Sequence, residues 1–273
     1  MDTGIGASVT RKEDYRFLTG QGNYTDDISR PNQVYAVFLR STVPHANLKA
    51  VDTVAAKAAP GVVAVFTGDD LEGVGGVPCG FAPDGGPMNE PPRPVLAQGK
   101  VRFVGDMVAL VIADTLEQAK DAAEAISPEY EELPAVISMK EAQADGAPLL
   151  HDLPDNSCFS WGIGDAETTD AAFAQAEHVT TLELVNNRKC PNAIEPRAAI
   201  AEYDAGTENY TLYTTSQNPH VIRLLMGAFV LNIPEHKLRI VSPDVGGGFG
   251  SKIPHYPEEV AVTWAAKQVG QPL

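Results

Sequence analysis

Cysteine is scarce in this sequence, and the few cysteines present lie far apart. Among the 273 residues there are three, Cys79, Cys158 and Cys190, with no Cys-x-x-Cys pair and no Cys/His cluster at metal-ligand spacing. Zinc sites, iron–sulfur clusters and disulfide frameworks all need such pairs or clusters. We therefore expect none of these structures in the chain.

Positive charge and long apolar runs are also lacking. Lys and Arg number 20 against 36 Asp and Glu, which gives a net charge of −16. This balance argues against nucleic acid or an anionic membrane surface as a partner. No run of about 18 apolar residues predicts a transmembrane helix, and residues 1–14 lack the hydrophobic segment of a signal peptide. We expect a cytoplasmic protein that binds neither nucleic acid nor membrane.

What the sequence does contain is enough apolar material for one large or two ordinary domains, since 44% of the residues are hydrophobic. Apolar periodicity and β-branched runs predict strands at residues 34–40, 48–52, 62–67, 101–104, 107–113, 129–134 (running on through 135–139), 179–184, 198–203, 210–215 and 237–242. Helices are predicted at residues 53–59, 169–176 (capped by Asp170), 219–231 and 258–268, and a further helix runs from a cap at Asp114 or Thr115 to about residue 126. The elements within residues 34–67 form one β-α-β passage, and those within residues 101–134 form a second.

Two irregular stretches interrupt this pattern. Residues 71–96 are rich in glycine and proline, so they form either a disordered segment or a covering loop. Residues 144–156 carry Gly146, Pro148 and Pro154 among acidic residues, which is typical of a linker between domains.

A glycine run, Gly246 to Gly250 interrupted by Phe249, follows the predicted strand 237–242. It is either a plain turn or a loop whose bare N–H groups cradle an anionic group. A Walker A loop is excluded because Ser251 precedes Lys252, and a dinucleotide fingerprint lacks its third glycine.

Two further segments carry polar side chains at the ends of predicted strands. Gln217, a donor and acceptor without charge, either points into a pocket or lies beside a helix cap made by Ser216 or Asn218. Glu195 and Arg197 form either a structural ion pair or the edge of a site.

Seven segments in a fixed order make the chain resemble a known family. They are RFLTGQGNYTDD at 16–27, RS at 40–41 with PHA at 44–46, PGV at 60–62, RFVGDMVA at 102–109, EPRA at 195–198, SQNPH at 216–220 and DVGGGFGSK at 244–252. No single motif is specific, but the ordered set is, and it covers nearly the whole chain. The sequence resembles the molybdenum-binding large subunit of the xanthine dehydrogenase, aldehyde oxidase and aerobic carbon monoxide dehydrogenase family.

The resemblance implies an α+β fold, with an α/β hammerhead domain at residues 15–140 and the first part of a molybdopterin-binding domain at residues 155–273. It implies that Gln217 is catalytic and hydrogen-bonds an oxo or sulfido ligand of molybdenum. It also implies a cofactor-binding loop made of Gly246, Gly247, Gly248, Phe249 and Gly250. The pterin holds the metal, so no metal-ligating side chain is expected.

By the same resemblance, the cofactor is molybdenum-molybdopterin, in its cytosine dinucleotide form. FAD and 2Fe–2S clusters are expected on partner subunits, in a dimer of heteromers that acts on a small-molecule substrate. The complete enzyme is expected to oxidise an aldehyde, carbon monoxide or an N-heterocycle by oxygen transfer from the molybdenum centre.

The sequence also departs from the family pattern. Ile253 stands where purine-hydroxylating members have a glutamate after the Gly-Lys of the loop, which disfavours a purine substrate. The family's general-base glutamate and the cysteine loop of carbon monoxide oxidation would both fall beyond Leu273. We therefore expect a fragment, or one piece of a split subunit, that is inactive without the remaining molybdopterin-binding portion. The alternative is a non-catalytic binding or assembly module.

Overall fold

The chain folds into short helices and three small sheets, as described by a computed structural model over residues 4–79 and 88–273. The first half contains α1 Asp14–Leu18, β1 Tyr35–Arg40, β2 Ala46–Asp52, α2 Val54–Lys57, β3 Val62–Thr67, β4 Lys100–Val101, β5 Met107–Ala113, α3 Leu116–Glu124, β6 Ser127–Glu132 and α4 Met139–Ala142. The second half contains α5 Ala166–Gln175, β7 Ala199–Asp204, β8 Asn209–Thr214, α6 Pro219–Leu225, a π-helical turn Met226–Val230, β9 Leu238–Val241 and α7 Pro257–Val269. The α+β class predicted from the sequence is confirmed.

Two antiparallel sheets with the orders β1-β5-β3 and β4-β2-β6 make up the first half. The predicted strand buried on both faces is β5, which occupies the centre of its sheet with all seven residues buried. The two predicted β-α-β passages are wrong as units of one sheet, because α2 and α3 each connect strands of different sheets. A crossover back to a parallel neighbour needs a dozen or more residues, and the link from β2 to β3 is shorter than that.

Helix α3 covers one face of the β5 sheet. Thr115 caps it by accepting a hydrogen bond from the backbone N–H of Gln118, whose side chain reaches back to Thr115. The small residues Ala119, Ala122 and Ala123 are buried. Their lack of bulk lets the helix lie close to the sheet.

The third sheet has the order β7-β8-β9, in which β7 and β8 are antiparallel and β8 and β9 are parallel. Helix α7 packs on β7, and its Trp264 meets Phe66 of β3 edge-on, with ring centroids 4.9 Å apart. One hydrophobic cluster includes buried side chains from both halves, among them Ile112 and Leu212. The two halves therefore share a core, which sets β8, β9 and α7 relative to the first two sheets.

Several predicted elements differ from those observed. The strand predicted at 179–184 is absent, and its apolar residues Val179, Leu182 and Leu184 are exposed. An extended segment becomes a strand only when another strand satisfies its backbone groups, and none of the described residues does so here. The extension at 135–139 is also wrong, since Ser138 caps α4.

Helix boundaries shift for similar local reasons. Helix α5 begins at Ala166 because Asp165, and not the predicted Asp170, accepts from the N–H of Thr168 at 2.9 Å. The predicted helix 219–231 is α-helical only to Leu225 and then continues as the π-helical turn. The strand predicted at 101–104 is shorter, because Arg102 starts a turn in which its N–H donates to Asp106.

The glycine- and proline-rich stretch 71–96 covers the core where the structure describes it. Residues 80–87, including the predicted loop residues Gly80 and Pro83, lie outside the described residues. On either side of that gap Val77 and Leu96 are buried in the shared cluster, and the Val77 N–H donates to Arg93 O at 2.8 Å. Within the described ranges, no helix is long and apolar enough to cross a membrane.

Candidate functional site

The glycine run lies in the connection between β9 and α7. Gly247, Phe249 and Gly250 have φ values of 103°, 50° and 86°, so the chain adopts left-handed conformations at three of four consecutive positions. Phe249 does this as a non-glycine residue with 75% of its side chain exposed. Such conformations on non-glycine residues are uncommon and cluster at functional sites.

Gln217 leaves the end of β8 and lies across this loop. Its Oε1 accepts hydrogen bonds from the N–H groups of Gly250 at 3.1 Å and Lys252 at 3.3 Å, which fixes the orientation of the amide. A Cβ added at Gly248 would lie 2.3 Å from both Cδ and Oε1 of Gln217. Gln217 Nε2 donates to none of the described residues and remains available to a ligand.

The helix cap that the sequence also allowed beside Gln217 takes a different form. Ser216 Oγ accepts from the Asn218 N–H at 2.9 Å, but neither side chain caps α6. Ser216 O accepts from Ser242 Oγ at 2.7 Å, which ties the end of β8 to the end of β9. These bonds hold Gln217 beside the glycine loop.

Glu195 and Arg197 do not form an ion pair with each other. Glu195 pairs with Lys252, whose Nζ lies 2.9 Å from Glu195 Oε2. Arg197 lies over the ring of Tyr256, 3.5 Å from its centroid, and Nη2 is 3.8 Å from Glu258. The segment is thus both a structural ion pair and an edge of the candidate site, which the sequence had posed as alternatives.

The N-terminal lead-in contacts the opposite end of the loop. Arg16 binds both carboxylate oxygens of Asp244, and the Asn23 N–H donates to Asp244 Oδ2 at 2.8 Å. The hydrogen bond from Arg16 lowers the pKa of the Asp244 carboxyl. Both residues lie in motifs of the sequence, but no local pattern connects them, because 228 residues separate Arg16 from Asp244.

The C-terminal end of the loop is held by the start of α7. Ser251 Oγ donates to Gly248 O at 2.8 Å, and Tyr256 Oη donates to Ser251 O at 2.5 Å. The Tyr256 N–H in turn donates to Glu259, whose other carboxylate oxygen accepts from Thr214 at 2.7 Å. Burial raises the pKa of the Glu259 carboxyl.

The middle of the loop fits an anionic group such as the molybdopterin cofactor. The N–H groups of Gly247, Gly248 and Phe249 donate to none of the residues that the structure describes. They are three consecutive donors on a backbone that little side-chain bulk covers, the arrangement by which loops bind anions. A Cβ added at Gly246 would lie 2.5 Å from Glu195 Cβ, so this position requires glycine, whereas one added at Gly248 would displace the Gln217 amide.

His255, just beyond the loop, makes stability depend on pH. It is 5% exposed, and neither ring nitrogen has a hydrogen-bond partner among the residues described; burial, reinforced by the charge of Arg93, lowers its pKa to about 4. The unfolded chain takes up a proton near pH 6.5, whereas the folded chain does so only near pH 4. Stability is therefore fully present above about pH 6.5 and is lost as pH falls towards 4, by about 3 kcal/mol at 1.36 kcal/mol per pH unit.

His255→Phe keeps a buried ring but removes the titrating nitrogens. We expect chemical denaturation between pH 7 and 4.5 to show a smaller acid-induced loss of stability in this variant than in the wild-type chain. The exposed His220→Phe is the matched control and should keep the wild-type slope. An equal slope in His255→Phe would contradict the assignment.

Known proteins match this chain along nearly its whole length. A model of the aldehyde oxidase and xanthine dehydrogenase a/b hammerhead domain matches residues 19–134, and one of the molybdopterin cofactor-binding domain matches residues 150–273. The carbon monoxide dehydrogenase large chain of Afipia carboxidovorans is 37% identical over 99% of this chain and 34% of its own length. The nicotine 6-hydroxylase large subunit of Paenarthrobacter nicotinovorans is 34% identical over 98% of this chain and 33% of its own length.

The fold is also similar to solved structures. Quinoline 2-oxidoreductase from Pseudomonas putida 86 superposes with a TM-score of 0.88 at 35% identity, over 98% of this chain and 34% of that one. The chain thus spans about a third of the length of the relatives that it matches. With a hammerhead domain, a molybdopterin-binding domain and large-subunit relatives along its whole length, the chain belongs to the molybdenum-binding large-subunit family of xanthine dehydrogenase, aldehyde oxidase and aerobic carbon monoxide dehydrogenase.

Proposed function

We propose that this chain forms one wall of the active site of a molybdenum hydroxylase. The observation that carries the proposal is the Gln217 amide, held across a glycine loop by its oxygen while its Nε2 donates to none of the described residues. Beside it in the same loop, the N–H groups of Gly247, Gly248 and Phe249 donate to no residue within 4–79 or 88–273. Together they offer donors to a single anionic group.

In this proposal the bound molybdenum cofactor supplies the oxygen transferred to substrate and accepts the electrons. Gln217 is the catalytic residue and donates a hydrogen bond from Nε2 to a ligand of the metal. The loop Gly246 to Gly250 would hold the cofactor through its backbone N–H groups, with the exposed side chain of Phe249 beside it. A preorganised donor of this kind loses no free energy to reorganisation during the reaction.

The substrate in this proposal is an aldehyde, carbon monoxide or an N-heterocycle other than a purine. Ile253 is 48% exposed at the end of the loop, where its apolar side chain offers no hydrogen-bond acceptor to a purine ring. The relatives described above are named for carbon monoxide, nicotine and quinoline, and these names are consistent with such a substrate.

The remaining cofactors and partners are proposed from the family. They are the cytosine dinucleotide form of molybdopterin, FAD and 2Fe–2S clusters on partner subunits, and the rest of the molybdopterin-binding portion, in a dimer of heteromers. Because the chain spans about a third of its relatives, we propose that it is inactive without that remaining portion. The cytoplasmic location stays a prediction.

Metal analysis of the chain purified with its large-subunit remainder and partner subunits tests the proposal. We expect molybdenum close to one per complex, because the loop and Gln217 supply donors that the cofactor needs. The same preparation without this chain is the control and should contain little molybdenum. A stable complex that contains this chain but no molybdenum would instead support the non-catalytic assembly module.

A further inference from the structure

A buried charge lies beneath the glycine loop and is unused by the proposed mechanism. The side chain of Lys252 is 2% exposed, and its partner Glu195 is 12% exposed. Lys252 Nζ lies 2.9 Å from Glu195 Oε2 and 2.9 Å from Glu195 O. Lys252 is therefore held by both the side chain and the backbone of Glu195.

The same carboxylate also holds the beginning of the loop. Glu195 Oε2 accepts the Gly246 N–H at 2.6 Å, and the Glu195 N–H donates to Gly246 O at 3.3 Å. A single carboxylate oxygen thus contacts both Gly246, at the start of the loop, and Lys252, two residues beyond its end.

Lys252 further connects this pair to Gln217. The Gln217 N–H donates to Lys252 O at 2.9 Å, and Gln217 Oε1 accepts from the Lys252 N–H. Any shift of Lys252 therefore moves the group that positions the Gln217 amide. Glu195, Lys252 and Gln217 form one connected set around the loop.

Stability alone does not explain such a pair. Removing two charges from water opposes folding, and replacing a buried ion pair by apolar residues of similar size is often neutral or stabilising. Glu195 Oε1 is buried and has no hydrogen-bond partner in the described part of the chain, which adds to the free-energy cost of burying the pair. Because burying this pair adds little to the stability of the fold, its role is better explained by the loop and the amide that it holds in place.

We infer that Glu195 and Lys252 are positioning residues that hold the loop Gly246 to Gly250 and the Gln217 amide in the conformation that binds the cofactor. The inference rests on the proposed function. It concerns the loop itself, however, so it can be measured in the cofactor-free complex.

The test replaces both charges together in the full complex, as Glu195→Leu with Lys252→Met. We expect thermal stability close to wild type, while hydrogen exchange at the amides of Gly246 and Gly250 becomes about tenfold faster in the cofactor-free complex, the effect of losing one hydrogen bond. Molybdenum occupancy should fall in parallel. The exposed pair Lys49 and Glu131, 2.7 Å apart, provides the matched control when given the same substitutions.

A second variant separates positioning from general packing. Glu195→Gln with Lys252→Met keeps a side-chain oxygen for the Gly246 N–H, so slow exchange and molybdenum occupancy should be largely restored. Unchanged exchange in the Leu/Met variant, or a change that only follows its melting temperature, would overturn the inference. If the purified wild-type complex contains no molybdenum while its loop still exchanges more slowly than that of the Leu/Met variant, the proposed function is refuted and the positioning role stands.

Discussion

Replacing Gln217 by alanine is expected to lower turnover of the assembled enzyme by on the order of 100- to 1,000-fold, the usual effect of removing one preorganised donor from an active site. The structure adds a second consequence. The alanine also removes the acceptor for the Gly250 and Lys252 N–H groups, so stability should fall by about 1–2 kcal/mol. Turnover per bound molybdenum and thermal unfolding measure the two effects separately.

Gln217→Glu distinguishes the two roles of this side chain. A carboxylate still accepts from the Gly250 and Lys252 N–H groups, so the loop should keep its conformation and stability should stay close to wild type. It cannot donate, and it places a negative charge beside an anionic cofactor, so turnover should remain low. Wild-type turnover at equal molybdenum content in either variant would refute the catalytic role.

The second large effect is expected at Gly248. A methyl group there would lie 2.3 Å from the Gln217 amide, and the inexpensive way to relieve that contact is to rotate this exposed side chain away. We expect Gly248→Ala to fold normally but to lower turnover by at least about tenfold, because the displaced donor no longer reaches the cofactor. The measurement is again turnover per molybdenum, together with the melting temperature.

A double-mutant cycle makes this prediction specific. In Gln217→Ala the atoms that clash with a methyl group at Gly248 are gone, so the double variant should be no slower than Gln217→Ala alone. Gly162→Ala, where an added Cβ meets nothing within 4 Å, is the matched control and should be neutral. Additive losses in the double variant would show that Gly248 acts independently of Gln217.

The local sequence was sufficient to predict strands that are marked by a clear run of β-branched and apolar residues. The strands at 62–67 and 107–113 were predicted with the observed limits, because β-branched and apolar runs between turn residues allow few alternatives. The segment 179–184 carries the same type of signal yet forms no strand. The two segments differ in strand pairing. Strand β5 has a hydrogen-bonded strand on each side, whereas 179–184 has no pairing strand among the described residues.

The sequence by itself determined the fold class, the family and the two segments around which the site is built, the glycine run and Gln217. The sequence was sufficient here because the order of the motifs, and the wide conformational range of glycine, can be read from the chain without knowing how it packs. Only the tertiary structure decided that Lys252 pairs with Glu195 and that Arg16 reaches Asp244, contacts across 57 and 228 residues. Such contacts depend on how sheets and loops pack in space, which no local pattern encodes, and they convert a glycine run into a loop of defined shape.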